Sequence, residues 1–142
     1  MQIVNNIIDL NNTLKSSKKE KKKIGLVPTM GSLHEGHLSL IKTALKSCDE
    51  VWVTIFINPT QFNDPKDFES YPKDFENDIN TINSISSKIN LFIPESVNEI
   101  YQDDITVDEF DLGFVNKVLE AKSRPGHFDG VATIISKLFN IF

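Results

Sequence analysis

At 142 residues the chain is about the size of one domain and long enough to bury a real core. An apolar share of 39% beside a charged share of 25% is ordinary for a globular protein and excludes wholesale disorder. The formal charge of −5 argues against a general nucleic-acid binder, which presents a basic surface. Cys48 stands alone, so there is no internal disulfide framework, and a reducing compartment fits. The opening Met1-Gln2-Ile3-Val4-Asn5-Asn6 lacks the basic-then-apolar order of a signal peptide, and no apolar run approaches the roughly 20 residues of a membrane span. The expected setting is the cytoplasm, without a membrane partner.

Along the chain, Ile3, Val4, Ile7, Ile8, Leu10 and Leu14 lie near helical spacing and predict a short amphipathic helix over residues 1–14. The lysine-rich stretch Lys15 to Lys23 reads as a solvated connector. A strand follows at Ile24–Pro28, then a helix from about Gly36 to Ser47. Val51 to Ile57, β-branched and aromatic almost throughout, suits a strand covered on both faces of a parallel sheet. Strand, helix and strand in that order make a βαβ unit. Asn58-Pro59 ends the second strand, and a loop runs through Gln61, Phe62 and Tyr71.

Pro72 is placed as the first residue of a helix carrying Phe75, Ile79 and Ile82. Leu91-Phe92-Ile93 predicts a third strand, Ile105–Asp108 a short extra strand, and Val115 to Leu119 a helical turn or two. From about Phe128 a buried helix presents Val131, Ile134, Ile135, Leu138 and Phe139. The fold expected is α/β, a Rossmann-like, doubly wound, mostly parallel sheet with flanking helices. The last residues, Leu138-Phe139-Asn140-Ile141-Phe142, lie inside a hydrophobic segment where such a sheet would add a strand beside Ile24–Pro28. Residues 1–142 are accordingly expected to form an N-terminal nucleotide-binding domain of a longer protein, with that first strand at an open edge.

The chemistry concentrates in Thr29-Met30-Gly31-Ser32-Leu33-His34-Glu35-Gly36-His37, between the first βαβ strand and its helix. A glycine-containing turn that opens a helix places unpaired backbone N–H groups where a phosphate can sit. His34 and His37, three residues apart, can face the same side. As a zinc site the pair supplies only two nitrogens, needing His127 or a carboxylate besides, and a single cysteine disfavours it. The glycine-lysine-serine/threonine ending of a Walker-type loop is missing. A nucleotidyl-transfer site remains, in which helix N–H groups and imidazoles stabilise charge on a phosphate undergoing displacement. Gly36 would then let a nucleotide approach the helix closely.

Pro28 to His37 resembles the ATP-binding signature of the pantothenate synthetase (pantoate–β-alanine ligase) family, within the HxGH-type nucleotidyltransferases. Phe56-Ile57-Asn58-Pro59-Thr60-Gln61-Phe62, with Tyr71-Pro72 beyond, is similar to that family's substrate loop. Ser123-Arg124-Pro125-Gly126-His127-Phe128-Asp129-Gly130-Val131, running into Lys137-Leu138-Phe139-Asn140, resembles a third block. Three unrelated blocks in one register are far more specific than any one of them.

The resemblance implies an ATP-dependent ligase. Pantoate's carboxylate attacks the α-phosphate, pyrophosphate leaves, and the amine of β-alanine then attacks the pantoyl adenylate to give pantothenate and AMP. It implies that Met30, Gly31, Ser32, Leu33, His34, Glu35, Gly36 and His37 line the ATP site. His37 would be the catalytic proton donor or phosphate-stabilising group, with His34 assisting, and Gln61 would hold pantoate and then β-alanine. Pro28, Thr29, Asn58, Tyr71, Arg124 and His127 are further candidates, each with a structural alternative. Asn58 could fix its own loop, Tyr71 could be core with a wet tip, and Arg124 and His127 could serve the Pro-Gly bend. Mg2+ is implied as the companion of ATP, with no protein metal site, and a homodimer is implied. The family pattern continues past residue 142 with a Gly-Glu-Lys-Asp block, a second substrate glutamine and a Ser-Ser-Arg segment. The alternatives are a nucleotidyltransferase acting on another small acceptor and a non-catalytic remnant.

Overall fold

A computed structural model describes residues 1–102, 104–113 and 124–142. Four strands form one parallel sheet in the order β1-β4-β3-β2: β1 is Ile3–Val4, β2 Ile24–Thr29, β3 Glu50–Ile55 and β4 Ile89–Phe92. The pairing Val27↔Val53↔Leu91 runs across the three longer strands, and Ile3 lies beside Leu91. Alternation along β3 sorts its side chains to two faces. Val51, Val53 and Ile55 meet Ile41 of helix α2 (Glu35–Ser47) and Ile82 of helix α4 (Phe75–Ile85). Trp52 turns the other way, with Leu10 and Leu14 of α1 (Ile7–Lys19) and Ile134 and Leu138 of the last helix, α6 (His127–Ile141). Both faces are therefore covered, as the doubly wound expectation requires.

The N-terminal segment corrects the sequence reading. Ile3 and Val4 form an edge strand instead of a first helical turn, because the backbone of β4 offers them parallel partners. The helix begins only after Asn6, whose side chain caps it by accepting from Asp9 N–H. Lys15, Lys18 and Lys19 are not in a connector but on the exposed side of α1, and Lys18 and Lys19 lie in its last turn, where positive charge suits the helix dipole. The helix is held to the sheet by Glu50, whose carboxylate accepts from Ser17 Oγ at 2.5 Å and from Trp52 Nε1 at 2.6 Å.

Further along, the loop after β3 contains a 3₁₀ turn at Pro59–Gln61 and a short helix, α3 (Pro65–Ser70), each with proline in its first turn. Pro72 precedes α4 rather than starting it, because Asp74 takes the cap position and accepts from Asn77 N–H. A four-residue helix, α5 (Asn98–Tyr101), was not signalled by the apolar pattern. Ile105–Asp108 is not a strand: Asp108 N–H and Phe110 N–H go instead to Thr133 Oγ1 and an Asp129 carboxylate oxygen on α6. The turn expected at Val115 to Leu119 lies outside the described residues. Strand β2 is at the sheet edge, and among the described residues no helix is long and apolar enough to cross a membrane.

Helix α6 comes close to the 3₁₀ turn because Gly130 has no side chain. A Cβ there would sit 2.3 Å from the Thr60 carbonyl oxygen, which is backbone and cannot swing aside. Gly130→Ala is expected to cost about 1–3 kcal/mol of stability, the usual range for overpacking. Urea denaturation checks this, and an unchanged midpoint would show that the helix lifts off freely.

Candidate active site

The turn after β2 is built around left-handed backbone. Gly31 has φ +83° and Ser32 φ +52°, a reversal that glycine accepts without strain and serine does not favour. Thr29 Oγ1 donates to the Thr54 carbonyl at 2.7 Å and accepts from Gly31 N–H at 3.2 Å. Ser32 and Leu33 N–H groups donate to the two carboxylate oxygens of Asp78, each at 2.9 Å. Asp78 reaches them from α4 and is only 2% exposed. At the start of α2, His34 Nδ1 accepts from Gly36 N–H at 3.1 Å, and His37 Nδ1 accepts from His34 N–H at 3.3 Å.

This changes the expected chemistry of the turn. The N–H groups of Gly31, Ser32, Leu33, His34 and Gly36 all have protein acceptors, so they are not the open phosphate cradle that the glycine-containing turn suggests. The space beside Gly36 is also taken, since a Cβ there would meet the His34 ring at 2.9 Å. What the turn offers instead is imidazole. A backbone N–H can only donate, so Nδ1 of each ring is unprotonated and each neutral ring carries its proton on Nε2. The ring centroids are 4.1 Å apart. Burial, and next the neighbouring His34, hold His37 below the ordinary histidine value, while Asp78 opposes them. His37 is thus a neutral Nε2–H donor near pH 7.

The loop after β3 supplies the facing wall. Asn58 is fully buried and its amide orientation is fixed by two backbone groups, because Oδ1 accepts from Thr60 N–H and Nδ2 donates to the Gly130 carbonyl. Nδ2 also donates to Gln61 at 3.0 Å, so the Gln61 atom it meets must be Oε1. That leaves the Gln61 amide nitrogen, with two N–H groups, as the donor end available to a ligand. Tyr101 OH completes the scaffold by donating to Asn58 Oδ1 at 2.7 Å. From α6, His127 Nδ1 lies 2.7 Å from the Gln61 carbonyl, an acceptor only, so this imidazole carries its proton on Nδ1.

Pro28, Thr29, Met30, His37, Gln61 and Tyr71 line one cleft of about 210 Å³, closed on its apolar side by Ile134 and Leu138 of α6. A second cleft of about 480 Å³ shares Met30, Gln61 and Tyr71 with it and is also lined by Arg124 and His127. Not every predicted residue arrives here. Leu33 packs against the α2 and α4 side of the core, His34, Ser32, Glu35 and Gly36 are exposed beside the helix start, Gly31 is buried in the turn, and Asn58 is scaffold; none of these lines either cleft. Tyr71 packs edge-on against Phe62 with centroids 5.8 Å apart, and burial, then Asp78, raises its hydroxyl above the ordinary tyrosine value.

Sequence reasoning missed Asp78, Tyr101 and Gly130 as parts of this arrangement. Asp78 had a signal: it falls four residues before Ile82 on the inward stripe of α4, where an unpaired carboxylate would not be tolerated. Tyr101 gave none, since its partner lies across the fold.

The fold and site together define an α/β protein with imidazole and amide donors converging at the carboxyl ends of a parallel sheet, where such folds bind small ligands. The family model for Pantoate-beta-alanine ligase matches residues 2–142, and the chain belongs to that family. It is 46% identical to the pantothenate synthetase of Flavobacterium psychrophilum over 94% of this chain and 47% of that protein. With the Aquifex aeolicus pantothenate synthetase it shares 50% identity over 95% of this chain and 47% of that one. A crystal structure of the Francisella tularensis pantoate-beta-alanine ligase, complexed with beta-gamma ATP and beta-alanine, superposes with a TM-score of 0.87 at 44% identity. That match covers 99% of this chain and 53% of the Francisella one. The chain thus spans about half the length of the curated relatives it matches.

Two expectations follow for His37. Its NMR titration midpoint should lie below 6.5, and His34→Asn, which keeps a capping oxygen but removes the second ring, should raise it. The folded chain then binds this proton less readily than the unfolded one. Stability from this group is therefore full above about pH 6.5 and falls as pH drops through the folded midpoint. An unchanged His37 midpoint in His34→Asn would remove the coupling.

Proposed function

We propose that this chain carries the nucleotide-binding part of an ATP-dependent ligase that joins pantoate to β-alanine through a pantoyl adenylate, releasing pyrophosphate and AMP. The single observation that carries the reading is the pairing, in one cleft, of His37 with a Gln61 amide whose donor end is left to the ligand. Family membership and the ATP- and β-alanine-bound relative support it.

On this reading Gln61 donates to the pantoate carboxylate and orients one oxygen toward the α-phosphorus. That oxygen forms the new P–O bond as the bond to pyrophosphate breaks. His37, neutral, donates its Nε2–H to phosphate oxygens as charge gathers on them, and His34 assists from the helix start. In the second step the β-alanine amine attacks the activated carbonyl, the C–N bond forms, and AMP departs with the bonding electrons. Met30 and Tyr71 close the cleft over the reacting groups. Arg124 and His127 edge the adjoining space, where charged parts of the substrates would lie.

Magnesium is proposed as the companion of the triphosphate. On this reading the ion would travel with the phosphate oxygens, keeping part of its water shell, as Mg2+ ordinarily does with nucleotide substrates. We further propose a homodimer in the cytoplasm, with Ile105–Leu112 as a contact. Ile105 is 53% exposed and Val107 41%, which suits a surface that a second copy covers.

Pantoate-dependent exchange of labelled pyrophosphate into ATP, run on the full-length protein, tests the reaction. Exchange above background is expected, and its absence in folded protein would remove the reading. Transfer of the nucleotide to a different acceptor, without β-alanine-dependent AMP release, would replace it. Gln61→Glu, which sets a carboxylate against a carboxylate, should raise the KM for pantoate at least about tenfold while leaving ATP binding nearly intact. Sedimentation showing only monomer would count against the dimer.

A further inference from the structure

Asp78 is the one carboxylate among the buried residues of the described chain, and both its oxygens are committed to the turn that opens α2. Consecutive N–H groups in left-handed backbone ordinarily make a nest for an external anion. Here the nest of Ser32 and Leu33 is filled from inside. A Cβ on Gly31 would lie 2.8 Å from Asp78 Oδ2, so the absence of a side chain at Gly31 is what lets the carboxylate seat itself. The arrangement also has an electrostatic drawback, because a negative charge is kept behind a site proposed to take a triphosphate.

We propose that Asp78 is a positioning residue: as a built-in anion it fixes the Gly31–Leu33 turn and thereby aims His37 at the bound nucleotide. The inference rests on the nucleotide reading of the site, but its structural half can be judged without any nucleotide. Two effects of opposite sign compete when Asp78 is neutralised. Relief of repulsion would tighten ATP binding, whereas release of the turn would weaken it. Placement of the turn is the larger effect here, because charge-assisted bonds to a buried carboxylate are strong and the carboxylate faces the amides directly.

The experiment has two readouts on the full-length protein. In the wild type, the backbone amide protons of Ser32 and Leu33 should move together with the carboxyl carbon of Asp78 as that group titrates, followed by NMR without ATP. Amides that ignore the Asp78 titration overturn the proposal. Calorimetry with ATP then compares Asp78→Asn and Asp78→Ala. Asn keeps the size and one acceptor but turns an NH₂ toward a backbone N–H, so ATP affinity should fall by about tenfold or more, and further in Asp78→Ala. Equal or tighter ATP binding by folded Asp78→Asn would overturn the positioning role. Should neither variant fold, the wild-type amide titration still decides. A wild type that binds no ATP, with amides that do follow Asp78, would overturn the nucleotide reading and the aiming of His37 with it.

Discussion

Parallel pairing of β2 with β3 is the constraint on which the site rests. It places the exits of Thr29 and Ile55 side by side, so the turn before α2 and the loop after β3 start from neighbouring points of one sheet edge. The Thr29 hydroxyl ties the two strand ends together through the Thr54 carbonyl. Neither wall reaches the other by its own sequence, and His37 and Gln61 come to line one cleft because Val51, Val53 and Ile55 are buried on one face while Trp52 is buried on the other. The hydrophobic pattern of a six-residue strand thus decides where two polar groups stand.

Beyond the strand ends, positioning passes to groups with no solvent exposure to speak of. Asp78 holds one wall and Asn58 the other, and each uses both ends of its side chain on backbone groups. Burial makes these contacts decisive: a polar group removed from water loses more by being unpaired than it gains by being paired, so such groups tolerate few alternative geometries. Rigid placement of a donor is what transition-state stabilisation needs, since no reorganisation remains to be done when charge develops.

Much of this could be read from the amino-acid order, and the reasons for the failures are physical. The strands β2, β3 and β4 and the helices α2 and α6 announce themselves by apolar periodicity, and their bounds moved by a residue or two. Ile3 and Val4 did not, because two residues are too few to distinguish periods of 2.0 and 3.6, and what makes them a strand is β4, 88 positions away by the Ile3↔Leu91 register. The turn at Gly31 was recognisable as special backbone. Where its N–H groups go was not, because their acceptor on α4 is named by no local pattern and only a misplaced charge on an apolar stripe betrays it. Gln61 is a similar case: its residue type suggests a donor, but which end is left open to the cleft follows from Asn58 and Gly130 together.

His37 and Gln61, the donors proposed to act in the smaller cleft, are neutral groups, and for the proposed reaction this has a consequence. A guanidinium facing the attacking carboxylate would bind it more tightly, but it would draw electron density from the oxygen that must attack, stabilising the ground state more than the transition state. On the proposed reading the Gln61 amide would orient that oxygen while leaving its nucleophilicity largely intact. On the phosphate side of the proposed reaction, burial and the neighbouring ring lower the His37 pKa and favour an uncharged ring, so its Nε2–H would gain strength as charge accumulates instead of gripping the resting nucleotide. Asp78 pulls His37 the other way, but its two oxygens are committed to the turn amides, and it is the weaker of the influences on that imidazole. With Arg124 kept to the adjoining cleft, the pairing of His37 and Gln61 in front of a sequestered anion would suit the proposed reaction, in which two negatively charged reactants must be brought together without either being held too firmly to react.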